Sequence, residues 1–531
     1  MRFFLLSVLG VLFSPAIGQT NGPDSLLSKP ALSREHLGLV DAAAMTLTTG
    51  RCGRCRTDKQ ALWYFQNDGI AVPSGDLESA QNSRTADAPF LVWIGAPEII
   101  ETAHLTDDRR RLRLLSGESV PLDLVPRLST NRSYFNEASA EFFAQRPLRL
   151  RGRTIQTEGQ QHFVARALWP LDYRLDRAAA QLPSRQNSLA IPSLIESEGS
   201  TQAAPYRTHL LWERPDLAAA SWAGKPLLGL MLNGAQGDDD EAHGGHFGLV
   251  TGRIGPQGEW ADALMHNFYD LNVVSEKGII PAMLPVDHYL MDLNSGQSYY
   301  RPSAFLALIL KQDRIPAAFD HAVQDTYRRL YRHEIEYDHS TLNCSGLSLD
   351  LLHTIGWYVP PRGPSSRLKA AGAFLYGSAT ERSFASGRKL FKYFSEERTR
   401  LLPRVTFEAI AADVLALVGV QGSGALRPLT ETERWLQDDL EAIVFVHLPQ
   451  VPSSRAFGTY PVVSLDEYQR RVPADRSQWK TVPVAARPFP EEWRIMQPPE
   501  RTRPATVWVV SGAAGLVLGL IWIRRVFRRR T

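Results

Sequence analysis

The sequence predicts an α+β fold with strands gathered early, a mixed central region, helices after it and one terminal membrane helix. Three observations carry this expectation. Apolar runs of strand length recur at Leu91 to Ile94, Phe163 to Trp169 and Leu227 to Leu232. Apolar residues repeat at helical spacing from Ala317 onward. A run without any charge, Ala505 to Ile523, stands near the C-terminus.

Residues 1–18 read as a signal peptide, with Arg2, an apolar run from Phe3 to Phe13 and the small-residue pattern Ala16-Ile17-Gly18. Residues 19–205 read as a β-rich N-terminal domain with a linker. Within it, Leu91-Val92-Trp93-Ile94 suits a buried strand. Leu148-Arg149-Leu150-Arg151 alternates apolar and charged side chains, as a half-exposed strand does. Phe163 to Trp169 suits its partner, with the turn near Gly159. Residues 176–205 are rich in Ala, Ser, Gln and Pro and read as a loose connection.

Residues 206–360 form the central domain. Leu227 to Leu232 reads as a central strand and His246 to Ile254 as another. Gly255-Pro256-Gln257-Gly258 makes a turn, and Glu259 to Tyr269 returns antiparallel. A helix is expected over Ala317 to Glu336, with Phe319, Val323, Tyr327, Leu330 and Ile335 inward. A second helix starts at Asn343, a good N-cap, and stops at Gly356. Residues 361–448 read as a helical extension, with Phe407, Ile410, Ala411, Val414 and Leu417 at helical period and a capping box at Thr430 and Glu433. Residues 449–504 hold ten prolines and read as an extended stalk.

A helix over residues 505–523 would be ~28 Å long, close to the ~30 Å of a bilayer core. Trp508 and Trp522 stand near its ends, and the tail 524–531 carries five arginines, the mark of a cytoplasmic side. The expected localisation is therefore a single-pass protein of the cell membrane, its bulk in the periplasm or extracellular space and its C-terminus cytoplasmic. Ser511, Gly515 and Gly519 recur at four-residue spacing, which suggests a homodimer through this helix.

A net charge of +3 and no long basic patch interleaved with aromatics argue against a nucleic-acid partner. The only cysteines are Cys52, Cys55 and Cys344. Cys52 and Cys55 form C-x-x-C among arginines; the plain reading is a local disulfide, and a redox role is the other. No further pair completes a metal site, and no His follows Cys55 as haem attachment needs. The expected chemistry needs no cofactor.

Two segments point to chemistry. Asp238 to Glu241 runs into His243-Gly244-Gly245-His246-Phe247-Gly248-Leu249-Val250-Thr251-Gly252, and far downstream comes Asn343-Cys344-Ser345-Gly346-Leu347. The second places a thiol at the first turn of a helix, where unpaired N–H groups and the macrodipole stabilise a thiolate. His246, at a strand start, is the matching base. A simple hairpin puts Asn267 opposite His246 as the group that orients it; a one-residue slip puts His266 there. A rival reading is a metal-dependent hydrolase using His243, His246 and the Asp238–Glu241 acids. A second rival is a non-enzymatic envelope binding protein.

HFGLVTG followed by NCSGLSLDLL resembles the circularly permuted papain-like superfamily, which includes permuted NlpC-type amidases and lecithin–retinol acyltransferase-like proteins. The likeness covers roughly residues 220 to 357. It implies a papain-like core, His246 as base, His266 or Asn267 as its orienting group and Cys344 as nucleophile. The residues after Cys344 are not the Glu-His pair typical of the acyltransferase branch. Together with the expected location, the resemblance implies a thiol hydrolase or acyl-transfer enzyme acting on amide or ester bonds of cell-wall peptide or lipid.

Overall fold

The computed structural model describes residues 28–49, 67–75, 91–127, 134–180, 190–197, 206–217, 220–234, 244–270, 279–331, 334–420 and 427–452. The expected signal peptide, Cys52 and Cys55, His243 and its acidic run, most of the proline-rich segment, the run 505–523 and the arginine tail lie outside the described residues.

The chain opens with the short strands β1 (Lys29–Pro30), β2 (His36–Leu37) and β3 (Val40–Asp41), then β4 (Met45–Thr49), β5 (Gly69–Pro73) and β6 (Val92–Gly95). Strands β7 (Glu98–Leu105), β8 (Arg111–Leu114) and β9 (Ser119–Leu124) follow. Helix α1 (Glu137–Ala144) leads into β10 (Leu148–Thr157) and β11 (Gln160–Pro170). Strands β7 to β11 pair in the order β7-β10-β11-β9-β8, and β8 pairs back onto β7. Only the β9–β11 pairing is parallel. The result is a closed five-stranded barrel, an architecture that OB-folds use. The β10–β11 hairpin is as expected, and its turn uses Glu158 at φ 51° and Gly159 at φ 80°, left-handed values that suit a tight hairpin turn.

After α2 (Ile191–Ser197) come β12 (Arg207–Glu213), β13 (Pro226–Asn233), β14 (His246–Arg253), β15 (Leu264–His266) and β16 (Met283–Pro285). Two short helices, α3 (Val286–Met291) and α4 (Gln297–Tyr300), precede β17 (Ser303–Leu310). Then follow α5 (Arg314–Tyr331), α6 (Cys344–Thr354), α7 (Arg367–Thr380), α8 (Phe384–Ser395), α9 (Arg398–Leu401), α10 (Pro403–Leu417) and α11 (Glu431–Asp439), and the last strand β18 (Leu440–Leu448). One ten-stranded sheet runs β12-β18-β17-β13-β14-β15-β16-β6-β5-β4.

Alternation along the central strands explains the layers. In β13, Leu227 and Met231 enter the core shared with the barrel, whereas Leu228, Leu230 and Leu232 enter the core under the helices. A strand buried on both faces needs apolar residues at every position, and Leu227 to Leu232 supplies them. The sheet is thus sandwiched: the barrel covers one face, and α5, α6 and α10 cover the other. The five residues expected on the inner side of α10 all lie in that helix-side core. Aromatic rings tie barrel to sheet, since Trp169 meets Trp260 edge-on at 5.3 Å and Trp260 stacks on Phe305 at 4.7 Å.

These findings correct the expected fold class. The described residues form a mixed α/β structure with a five-stranded barrel and a large sheet, not a papain-like α+β core behind a separate β-rich domain. Strand β6 shows why: Val92 and Ile94 enter the helix-side core, Trp93 the barrel-side core. Such a strand belongs inside a sheet, and β16 pairs with it in parallel through Met283 and Val92. The helical extension also ends in a strand, β18, inserted between β12 and β17. Its run Ile443-Val444-Phe445-Val446 is β-branched and aromatic, a strand composition. Among the described residues no helix is long and apolar enough to cross a membrane, so the described structure does not support the terminal membrane helix of the expected fold class; the run 505–523 lies outside it.

Arginines 149 and 151 overturn another expectation. Both are 1% exposed. They point from the barrel into the sheet junction, where Arg149 donates to Asp287 at 2.9 Å and to Asp262 at 2.6 Å, and Arg151 donates to Asp287 at 3.0 Å. Alternation told the period correctly and the exposure wrongly, because paired charges can be buried.

Candidate active site

Helix α6 starts as expected. The Asn343 side chain accepts hydrogen bonds from the Ser345 and Gly346 N–H groups at 3.0 and 3.3 Å. Its amide donates to Leu401 O at 2.8 Å, which locks the cap to α9. Cys344 is then the first helical residue, 3% exposed. Its N–H donates to the Tyr337 hydroxyl oxygen at 3.3 Å.

The body of α6 packs into the helix-side core through Leu347, Leu351 and Leu352, and its N-terminus reaches the start of β14. There the backbone N–H of Phe247 donates to the Cys344 sulfur, as does the Tyr337 hydroxyl. Phe247 is the residue next to His246, so the two distant segments meet. Burial pushes the Cys344 thiol above its ordinary value, although these donors pull the other way. The helix start therefore does not make a resting thiolate.

His246 is 6% exposed. Burial, and after it the positive charge of Arg301, lower its imidazole to about 3, against the opposing pull of the Asn267 side chain. The ring is neutral at neutral pH. Asn267 is itself held firmly: its amide donates to Ile280 O at 2.8 Å, its N–H to Ala282 O at 3.1 Å, and Tyr327 donates to its carbonyl at 2.8 Å. With the amide nitrogen engaged, the side-chain oxygen is the atom left to meet the ring, and since Nε2 has no partner the network assigns it the Nδ1–H. That tautomer leaves Nε2 as a bare acceptor. Nε2 is buried and has no hydrogen-bond partner among the described residues, the Cys344 sulfur included.

The residue beside the imidazole is therefore Asn267, and His266 lies elsewhere. The strand returns late, because Ala263 turns back on Trp260 through a 3.1 Å bond. Leu249, not His246, then faces His266. Alternation sends His266 to the helix side with Leu264 and Phe268, and Asn267 to the barrel side with Met265. His266 there bonds Thr251 Oγ1 at 2.8 Å and Asp320 Oδ1 at 3.1 Å under the edge of Phe319. Gly248 makes room for Met265 on the neighbouring strand, since a Cβ there would lie 2.2 Å from Met265 Cε and 3.0 Å from His266 O.

Several residues of this site were not anticipated. Asn233, at the end of β13, stands directly opposite His246 and donates to Ser303 Oγ at 2.7 Å. The Tyr289 hydroxyl donates to Asn233 Oδ1. Its ring centroid is 6.4 Å from that of His246, and its hydroxyl feels the charge of Arg301 and lies near enough to feel that of a Cys344 thiolate. Burial pushes the Tyr289 phenol far up, so it stays a donor. Arg301 donates to Gly234 O at 3.1 Å. Tyr269 lies 6.3 Å from His246 and 6.1 Å from Tyr337, centroid to centroid. A buried Asn at the end of an apolar strand was the one legible signal; the tyrosines come from segments that sequence pattern does not bring together.

A small cavity of about 10 Å³, room for about one water molecule, is bounded by Asn267, Ile280, Leu284, His288, Tyr289 and Gln297. No family model, curated protein or solved structure matches this chain. Among the described residues no group of three His, Cys, Asp or Glu side chains is arranged to hold a metal ion.

Proposed function

We propose that this protein is a thiol hydrolase or acyl-transfer enzyme in which Cys344 is the nucleophile, His246 the base and Asn267 the group that positions the base. One observation carries the reading: a neutral imidazole, fixed at Nδ1 by Asn267, keeps a buried bare Nε2 on the strand whose next N–H bonds the Cys344 sulfur. A buried acceptor left unpaired costs about 1–3 kcal/mol, and here it stands beside a thiol that can supply the missing proton.

The chemistry starts from a neutral thiol and a neutral imidazole. A carbonyl compound enters; Nε2 takes the thiol proton as sulfur attacks the carbonyl carbon. Catalytic hydrogen bonds that are long in the free enzyme tighten at this stage. The imidazolium is held by the Asn267 oxygen. The Phe247 N–H, released by the sulfur, and the Tyr289 hydroxyl, on turning away from Asn233, are donors for the oxyanion. Collapse of the intermediate returns the proton to the leaving amine or alcohol and leaves a thioester on Cys344. Water or a second acceptor then discharges the acyl group, with His246 again the base.

Substrates of this class are amides or esters. The signal-peptide-like start supports an extracytoplasmic setting, and cell-wall peptide or acylated lipid is the matching material. The motif resemblance to permuted papain-like enzymes supports the same roles for Cys344 and His246. The test uses activated acyl esters such as p-nitrophenyl acetate and p-nitrophenyl decanoate, followed by mass analysis of the Cys344 peptide. An acyl mass on Cys344 that turns over is expected. Esterolysis equal in wild type and Cys344→Ala, with no acyl mass on that peptide, overturns the reading.

A further inference from the structure

We propose that the hairpin formed by α7 and α8 is a docking element for the surface of an anionic lipid bilayer. Its two helices bury little: only Ala370 and Gly377 of α7 and Gly387 of α8 are buried. The exposed residues are not those of an ordinary solvated helix. Leu368 is 84% exposed, Leu375 68%, Tyr376 69% and Phe384 78%, and Phe391 is exposed too. Single exposed apolar residues are common, but five on one hairpin form a patch that needs a partner. Leu368, Leu375 and Tyr376 recur at helical spacing on α7, and Phe384 and Phe391 on α8.

Charge selects the partner. Residues 367–395 carry Arg367, Lys369, Arg382, Arg388, Lys389 and Lys392 against the single acid Glu381. A second copy of the same hairpin would bring like charge to like charge. Apolar side chains flanked by Lys and Arg instead match a bilayer interface with anionic headgroups, where burial and attraction act together.

The hairpin is pinned to the body rather than adrift. Pro364 and Glu397 form a bridge across its base, and Tyr393 packs on Leu401, Leu402 and Val405. Gly387 and Gly377 let the two helices close tightly, since a Cβ on Gly387 would lie 2.6 Å from Phe374 O. Lys389 and Lys392 act electrostatically on Asp338, which lies between Tyr337 and the loop that leads to Cys344. The basic side of the hairpin therefore borders the rim of the thiol site. Docking brings that rim to the headgroup layer, where an acylated lipid presents its carbonyl.

The readout is hydrogen exchange of the full chain across residues 367–395, titrated with vesicles of phosphatidylcholine alone or with one quarter phosphatidylglycerol. Exchange there is expected to slow with the anionic vesicles and not with the neutral ones. Arg388→Glu with Lys389→Glu and Lys392→Glu should raise the lipid needed by about a hundredfold, at roughly one decade or a little less per basic residue. Leu375→Ser with Tyr376→Ser should raise it as well, while exchange in β13 and β17 stays slow and shows that the variants are folded. Slowing without vesicles that grows with protein concentration would show that a second copy is the occupant and overturn the proposal. So would no slowing with anionic vesicles, or equal slowing with neutral ones. The measurement needs no turnover, so its result is separate from that of the Cys344 acylation test.

Discussion

Two buried polar clusters flank helix α3, and they differ in how charge is matched within them. At the junction of barrel and sheet, Arg149, Arg151, Asp262 and Asp287 are charged and bonded to one another. A second pair of links completes the junction: Arg166 donates to Asp292 at 2.6 Å and bonds Asp68, which also accepts from Trp93 at 2.9 Å. At the end of β14 a neutral imidazole instead stands near the cation Arg301 with no acid to pair it, and its Nε2 is unfilled. Consecutive residues serve both clusters, Asp287 and His288 facing the junction and Tyr289 the thiol site. Paired charge fixes where the barrel sits; the unpaired imidazole is what a reaction can use. The barrel thereby sets the position of Tyr289 through a helix of six residues.

The largest effects should separate the two clusters cleanly. Cys344→Ala is expected to lower turnover by on the order of 10⁶, to background, as loss of a nucleophile does. Its thermal stability should stay close to wild type. Asp287→Ala should do the reverse. It strands two buried guanidinium groups and is expected to lower stability by about 3–5 kcal/mol, read by urea or thermal unfolding. If Asp287→Ala leaves stability intact, the junction is not the structural half of this comparison.

Smaller effects test the site from within. Tyr289→Phe removes a hydroxyl and little volume. Loss of one oxyanion donor costs about 10²–10³ in kcat, whereas a merely structural hydroxyl would move stability and leave kcat alone. Asn267→Ala should lower kcat by roughly 10²–10⁴ through loss of the correct tautomer, the range of a general base. Asn267→Asp, which keeps the accepting oxygen, should recover part of that loss. His266→Asn should change stability and spare kcat, because His266 serves Thr251 and Asp320 on the far face. Equal kcat losses at residues 266 and 267 would mean that the orienting group has been misassigned.

Local pattern made much of this legible. Asn343 was readable as a cap, Gly159 as a turn, and Leu227 to Leu232 as a strand buried on both faces, because each signal lies within a few residues. The pairing of Cys344 with the strand of His246 was readable as a juxtaposition of motif types. What failed required distance. Nothing near Arg149 announces Asp262 or Asp287, which lie more than a hundred residues away. The register that chose Asn267 over His266 depended on an extra turn at Trp260 to Ala263. The thiol was expected to ionise from its helix position alone, and burial reversed that.

The finest test is the pH dependence of stability, where the two clusters act in different windows. Burial alone would raise the Asp287 carboxyl, but Arg151 and Arg149 hold it below the usual carboxylate range, and Arg166 and His288 do the same for Asp292. Both folded values are depressed, so their contribution is complete above about pH 4, the unfolded value, and is lost as pH falls below it. His246 is also depressed, to about 3, but its unfolded value is about 6.5. Between those values the unfolded chain holds a proton that the folded chain refuses, so stability falls as pH falls. From pH 6.5 to 5.5 this single group should remove about 1 kcal/mol. His353, also lowered by burial, acts with the same sign, so the measurement is a difference: urea unfolding of wild type minus His246→Gln at both pH values. A variant whose stability falls as steeply as wild type over that window would show that the fold does not lower the His246 pKa, and one that falls more steeply would show a protonated imidazole in the fold.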